Sequence, residues 1–136
     1  KRGSMRRFCL IFSLLCVCFC FSANAQVQCA SLLSEDYVSD GQYYATTIKN
    51  YETKQCEITF IEGNEYRVIV CPHNAKKVQM QIIDVDGNII FNNKNYGYTN
   101  YWNFRIKETL NCTIRLNLVE DNVENDDLIL LIGFKK

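Results

Sequence analysis

The stretch Val78–Asn93, VQMQIIDVDGNIIFNN, decides the fold of this chain. It contains two apolar runs joined by Asp86-Gly87. An Asp-Gly pair between such runs indicates a tight hairpin, because the reversal needs residues that tolerate positive φ. Before the turn, apolar residues from Val78 to Ile82 alternate with glutamines, the pattern of a strand with one buried face. The stretch therefore predicts a β-hairpin.

The same alternation recurs on both sides of this hairpin. Six further segments are bounded by polar turns, and we expect them to be strands: Tyr43–Lys49, Gln55–Ile61, Glu65–Cys71, Tyr101–Lys107, Asn111–Val119 and Leu128–Phe134. The last segment is almost continuously apolar, which is typical of a strand that is central or covered on both faces. About eight short strands at regular spacing predict an all-β, jelly-roll-like β-sandwich.

A short N-terminal helix is expected at Cys29–Val38. Leu32, Leu33 and Tyr37 fall at helical spacing there, and the polar residues 39–41 would end the helix. The candidate spans fewer than three turns, so it needs packing against the rest of the chain to persist.

Residues 1–25 have the composition of a secretory signal peptide behind a short expression scar. Met5 is the expected start, basic residues precede the apolar run Phe8–Phe21, and Ala23 and Ala25 suit a cleavage site. The apolar run is too short for a comfortable membrane span. We therefore predict export to the periplasm, the cell surface or the medium, with one domain at 26–136 and no membrane span in the mature chain.

Removal of the signal peptide changes the net charge. Residues 1–25 hold four of the 15 Lys and Arg and none of the 15 Asp and Glu, so 11 basic and 15 acidic residues remain. The mature chain therefore carries a net charge near −4. A mildly acidic surface argues against nucleic acid and against anionic membrane as partners.

Four cysteines remain after processing, and an even number in a small exported domain indicates two disulfides. Cys56 and Cys112 each share a strand face with apolar residues, so we expect both to point inward and to pair with each other. Cys71 lies on the opposite face at a strand end, which leaves it for Cys29 at the predicted helix.

No set of residues predicts catalysis, a metal centre or a cofactor. Asp84, Asp86 and Asn88 begin like a calcium loop, but the glycine and glutamate that such a loop needs later are missing, so a solvated hairpin turn is favoured. Cys71 lies two residues from His73, the only histidine, yet exported cysteines in an even set are more often bridged.

The segment Glu120–Asp127 holds five acids in eight residues. A calcium site is one interpretation, because hard oxygen ligands are dense there. A solvated loop that keeps the neighbouring apolar strand soluble is the favoured one.

The segment Asn92–Tyr101 is the best candidate for a binding surface. Its aromatic rings can stack on a sugar or fill a protein hot spot, and its amides can both donate and accept hydrogen bonds. Trp102 follows it and shares a face with Phe104, so Trp102 is expected in the core. The candidate ligand-binding residues are Asn93, Asn95, Tyr96, Tyr98 and Tyr101.

The order of these features resembles that of small exported β-sandwich proteins of unknown function from gut-type Gram-negative bacteria. The resemblance rests on Tyr66-Arg67-Val68, Asp84-x-Asp86-Gly87-Asn88, Phe91-x-Asn93, Tyr101-Trp102-Asn103-Phe104 and Leu131–Lys135. More distantly, the chain is similar to pre-peptidase C-terminal-type domains, which are non-catalytic modules appended to secreted peptidases. The resemblance implies the fold and export, and it implies no catalytic residues. The closer group has a cysteine just before the last strand, where this chain has Asp127.

The sequence therefore predicts a non-catalytic binding or interaction module for a glycan or a protein at the cell envelope. A purely structural envelope protein is the first alternative. A small hydrolase, or a peptidase-accessory or inhibitor domain, is less favoured, and the hydrolase is disfavoured because no nucleophile, base and acid converge in the sequence.

Overall fold

A computed structural model describes residues 29–120 and 122–135, without the side chains of residues 40 and 42. The predicted signal peptide lies outside this part. Two short 3₁₀ helices occupy Ser31–Leu33 and Asn93–Tyr96. The described part contains eight strands: β1 (Tyr37–Lys49), β2 (Thr53–Phe60), β3 (Glu65–Pro72), β4 (Val78–Asp84), β5 (Ile89–Asn92), β6 (Tyr101–Arg105), β7 (Leu110–Leu118) and β8 (Asn125–Lys135). Within these residues no helix is long and apolar enough to cross a membrane.

The strands form two four-stranded antiparallel sheets. Sheet A has the order β1-β8-β3-β6 and sheet B has the order β2-β7-β4-β5. Consecutive strands cross from one sheet to the other except at the β4–β5 hairpin. This order is the double Greek key of a jelly roll, so the predicted all-β, eight-stranded sandwich is confirmed.

The hairpin that decides the fold is present as predicted. Ile82 of β4 faces Phe91 of β5, and Gly87 takes a φ of 85° in the turn between them. The backbone N–H of Asp84 donates to the carbonyl of Asn88 at 2.9 Å, which closes the reversal. The left-handed φ explains why glycine occupies this turn position.

The core lies between the two sheets and follows the period-two alternation of the strands. In β7, for example, Cys112, Ile114, Leu116 and Leu118 are buried, while the residues between them are half-buried. The fully buried members come from both sheets and include Ile48, Phe60, Val68, Val70, Val78, Met80, Ile82, Ile114, Leu128, Leu130 and Ile132.

The predicted helix at Cys29–Val38 is wrong beyond its first turns. The 3₁₀ helix ends at Leu33, and β1 already begins at Tyr37, which lies opposite Lys135 of β8. The register of β1 shifts between Ser39 and Tyr43, in the segment that was expected to stop a helix. Pairing with β8 therefore outweighs the helical spacing of the apolar residues.

One predicted disulfide is confirmed and the other is wrong. Cys29 is bonded to Cys71, with a Cα–Cα distance of 5.9 Å, whereas Cys56 and Cys112 are free thiols. The register places Cys56 opposite Ile114, so Cys112 is only its diagonal neighbour on the same sheet face. Diagonal neighbours lie about 7–8 Å apart, which exceeds the usual Cα–Cα span of a disulfide. Burial raises the pKa of both free thiols.

Candidate functional site

The segment Asn92–Tyr101 joins the edge strand of sheet B to the edge strand of sheet A. The buried side chain of Asn93 anchors this segment to β4. Its Oδ1 accepts from the N–H of Met80 at 2.8 Å, and its Nδ2 donates to the carbonyls of Val78 at 2.8 Å and Thr99 at 3.1 Å. The connection is therefore held in one conformation by buried hydrogen bonds.

The prediction that Asn93 binds a ligand is wrong. Its side chain is fully buried, and both ends of its amide are hydrogen-bonded to the backbone. A buried amide that is satisfied in this way has no group left to offer a partner. Asn93 instead determines the shape of the connection.

Tyr96 is the outermost ring of an aromatic cluster that closes the β5/β6 side of the sandwich. Its ring lies 4.2 Å from that of Trp102 and 5.7 Å from that of Phe91, between centroids. The side chain is still 53% exposed. Trp102 is half-buried beside Phe91 and packs against the core, so it is less buried than the sequence indicated.

The other predicted residues of the segment differ in exposure and in their contacts. Tyr101 is exposed, and the guanidinium of Arg67 lies 4.8 Å from its ring centroid. Tyr98 is half-buried at a left-handed φ of 56°, which is uncommon for tyrosine, and the Lys77 ammonium lies 5.7 Å from its ring. Asn95 is exposed, and its side chain makes no hydrogen bond with the described residues.

Two exposed isoleucines lie on the adjoining strand, and they were not predicted from the sequence as surface residues of the site. Ile89 and Ile90 of β5 are 53% and 47% exposed. The signal was the pair Ile89-Ile90 itself, because two adjacent apolar residues cannot both face the core of a one-sided edge strand. Five exposed residues therefore lie on β5, on the segment that follows it and at the start of β6, and we call this set the edge surface: Ile89, Ile90, Asn95, Tyr96 and Tyr101.

The Asp84 carboxylate serves its own hairpin turn. Its Oδ1 accepts from the N–H of Asn88 at 2.8 Å and of Asp86 at 3.0 Å. Hydrogen bonds from Asn88, above all that from its backbone N–H, lower the pKa of this exposed carboxyl. The described residues include no group of three or more His, Cys, Asp or Glu side chains that could hold a metal ion.

The acidic segment is more than a solvated loop, which corrects that prediction. Asp126 is buried, and its carboxylate accepts from the backbone N–H groups of Asn74 at 3.0 Å and Ala75 at 2.7 Å. Glu120 accepts from the N–H groups of Lys76 and Lys77. These two carboxylates satisfy the backbone of the β3–β4 loop, where four consecutive N–H groups have no strand partner.

Two of the cysteines form a disulfide, and a third lines a pocket. The sulfur of Cys71 is bonded to Cys29 and is therefore no nucleophile. A pocket of ≈ 340 Å³ opens between β1 and β2, and Cys56 and Leu116 are among the residues that line it. None of the residues that line this pocket is Asp, Glu or His.

The chain matched no model in a scan of protein families, and a search of curated proteins also found no match. Among solved structures it is similar to PliG from Aeromonas hydrophila, a periplasmic lysozyme inhibitor of g-type lysozyme. The two share 11% sequence identity and a TM-score of 0.55, over 69% of this chain and 85% of PliG. At this identity the similarity shows a shared fold. The resemblance to gut-bacterial exported proteins and to pre-peptidase domains stays a prediction.

Proposed function

We propose that this chain is an exported, non-catalytic module that binds another protein through the edge surface. The observation that carries the proposal is the fixed position of the exposed Tyr96, which stacks on Trp102 in a segment anchored by buried Asn93. Aromatic side chains dominate protein hot spots. Contact residues that are already ordered lose less conformational entropy on binding.

The composition of the edge surface favours a protein over a glycan. Ile89 and Ile90 add exposed aliphatic area on the strand that precedes the segment anchored by Asn93, and such area suits the apolar centre of a protein interface. A sugar would need several amides around the rings, but Asn93 is buried and the Oδ1 of Asn92 already accepts from the N–H of Lys94. The fold similarity to PliG, a protein that inhibits a lysozyme, supports the same choice.

Export is supported by three independent features. The sequence predicts a signal peptide over residues 1–25, and the Cys29–Cys71 disulfide is of a kind that persists in oxidising compartments. PliG, which shares the fold, is periplasmic. We propose the periplasm or the cell surface as the place of action.

Site-specific photo-crosslinking tests the proposal. A photoreactive phenylalanine analogue replaces Asn95 on the edge surface, and the matched control carries it at Tyr51, a 96% exposed residue in the β1–β2 turn. We expect one defined protein to crosslink in exporting cells from position 95 and not from position 51. Equal crosslinking from both positions, or none from position 95, contradicts the proposal.

The captured protein then gives a quantitative test, with purified g-type lysozyme as the first candidate. Asn95→Arg places a bulky charge in the edge surface without removing a hydrogen bond, so it should weaken binding at least about tenfold while the melting temperature stays unchanged. Asn95→Ser is the control and should bind like wild type. Tyr96→Ala is less informative, because this ring also packs on Trp102.

A further inference from the structure

The outer face of sheet B carries a row of polar side chains that crosses all four strands. Gln55 of β2 lies opposite Arg115 of β7, Arg115 lies opposite Gln81 of β4, and Gln81 lies opposite Asn92 of β5. Directly opposed residues project from the same face of a sheet. We call these four residues the polar row.

Arg115 is the member of the polar row that lacks a partner. Its Nε is buried and has no hydrogen-bond partner among the described residues, and its guanidinium forms no ion pair with any of them. Buried donors are almost always satisfied in folded proteins, so an orphan of this kind needs a reason. Binding of the guanidinium to an acceptor from another molecule would be such a reason.

The charges around Arg115 define which acceptor fits. Glu57 lies opposite Thr113 and is therefore the diagonal neighbour of Arg115, and the other members of the polar row are neutral amides. One cation with amides beside it and an acid as its diagonal neighbour suits a single carboxylate and not a polyanion. The planar guanidinium matches a carboxylate in a fork of two hydrogen bonds. The flanking amides lie one strand spacing away, about 4.8 Å, and can bind the peptide groups beside that carboxylate.

We propose that the polar row binds an Asp or Glu side chain presented by an exposed segment of the partner protein. This inference rests on the proposed protein-binding function and adds a second contact to it. The polar row ends at Asn92, where the connection that carries the edge surface begins. A partner that binds the polar row therefore reaches the start of that connection.

Nuclear magnetic resonance of the arginine Nε–H groups tests the proposal on the mature chain. The Arg115 signal is assigned by its loss in Arg115→Lys. The probes are an acetylated, amidated six-residue peptide with one central Glu and the same peptide with Gln. We expect a saturable shift of the Arg115 signal with the Glu peptide and at least about tenfold weaker binding of the Gln peptide.

Two variants separate the guanidinium fork from simple charge. Arg115→Lys keeps the charge and should lose at least about tenfold in affinity for the Glu peptide, since an ammonium cannot form the fork. Arg105→Gln, an exposed arginine on β6 of sheet A, removes one charge elsewhere and should leave the affinity unchanged. If Arg115→Lys does not fold, the Arg115 signal is assigned by triple-resonance experiments on wild type, and the comparison of the Glu and Gln peptides decides alone.

Three results overturn the proposal. They are no shift at millimolar Glu peptide, an equal shift with both peptides, and tighter binding of glucuronate, a sugar carboxylate, than of the Glu peptide. The outcome is separable from the proposed function. A partner captured from position 95 that binds Arg115→Lys as tightly as wild type refutes the polar row alone. A specific Glu-peptide shift without any captured partner refutes the edge surface alone.

Discussion

The outer faces of the two sheets differ in what lies over them. On sheet A, Ile69 and Leu131 point outward and are nevertheless buried, because Cys29, Leu33 and Tyr37 pack on them. We call the segment 29–37 the cover of sheet A. On sheet B, the outward positions of β7 are polar and are half-buried except for the exposed Asn111, and those of β2 are exposed. An apolar outer face needs a cover, whereas a polar one is stable in water without it.

The arginines at the centres of the two faces also differ in their hydrogen bonds. Arg67 on sheet A donates from Nε to Oδ1 of Asn103 and from Nη1 to the carbonyl of Leu32, both at 2.8 Å. Its guanidinium also lies 4.3 Å from the ring centroid of Tyr37. Arg115 on sheet B has a buried Nε without a partner. The first arginine therefore holds the cover in place, and the second contributes little to the fold.

Removal of the disulfide should have the largest effect, because it releases the cover of sheet A. The bridge joins residues separated by 42 positions, and Cys29→Ser with Cys71→Ser should cost about 4 kcal/mol of unfolding free energy on the chain-entropy model. Urea denaturation measures the loss. Cys56→Ser, at a free thiol, is the control, and an equally small loss in both variants would show that the cover needs no bridge.

Arg67→Met should have the next largest effect. It removes the hydrogen bonds to Asn103 and to the carbonyl of Leu32 together with the ring contacts, so we expect a loss of about 2 kcal/mol. The carbonyl of Leu32 is then left without its donor. Hydrogen exchange should rise in residues 29–36 before it rises in β7. Uniform exchange throughout the chain would mean that Arg67 supports the whole sandwich and not the cover.

Arg115→Met makes the matched change on sheet B and should have almost no effect on stability. The variant removes a buried donor that has no partner, so the unfolding free energy should stay within about 0.5 kcal/mol of wild type or increase. A loss as large as that of Arg67→Met would show that Arg115 has a structural partner after all and would erase the contrast between the faces.

Asp84→Asn at the hairpin of sheet B should have the smallest effect, visible in the acid range. Because the folded pKa of Asp84 lies below its ordinary value of 3.8, its contribution to stability is complete above that value and is lost as the pH falls through the folded pKa. Melting curves at stepped pH should show wild type slightly more stable than Asp84→Asn near neutrality, with the difference vanishing in acid. A difference that grows in acid would contradict this sign.

The candidate site could be predicted only in part. The aromatic composition of Asn92–Tyr101 indicated exposed tyrosines, and the exposure of Tyr96 and Tyr101 agrees with it. Composition gave no sign that Asn93 would be buried, since an asparagine in a polar segment looks the same whether it faces water or the backbone of β4. The ladder partners of Arg115 depend on the order of strands in sheet B, which short-range patterns do not contain.

The sequence by itself determined the strands, the β4–β5 hairpin and the sandwich, because alternation and turn chemistry are local properties that each segment carries alone. It also placed Cys29 and Cys71 where they could meet. Only the tertiary structure decided that β1 starts at Tyr37, that Cys56 and Cys112 stay apart, and that one sheet is covered. These outcomes depend on which residues from distant strands become neighbours. At Gly133 of β8, for example, the absence of a Cβ leaves room for the side chain of Leu33. Such contacts are set by register and packing across the whole domain.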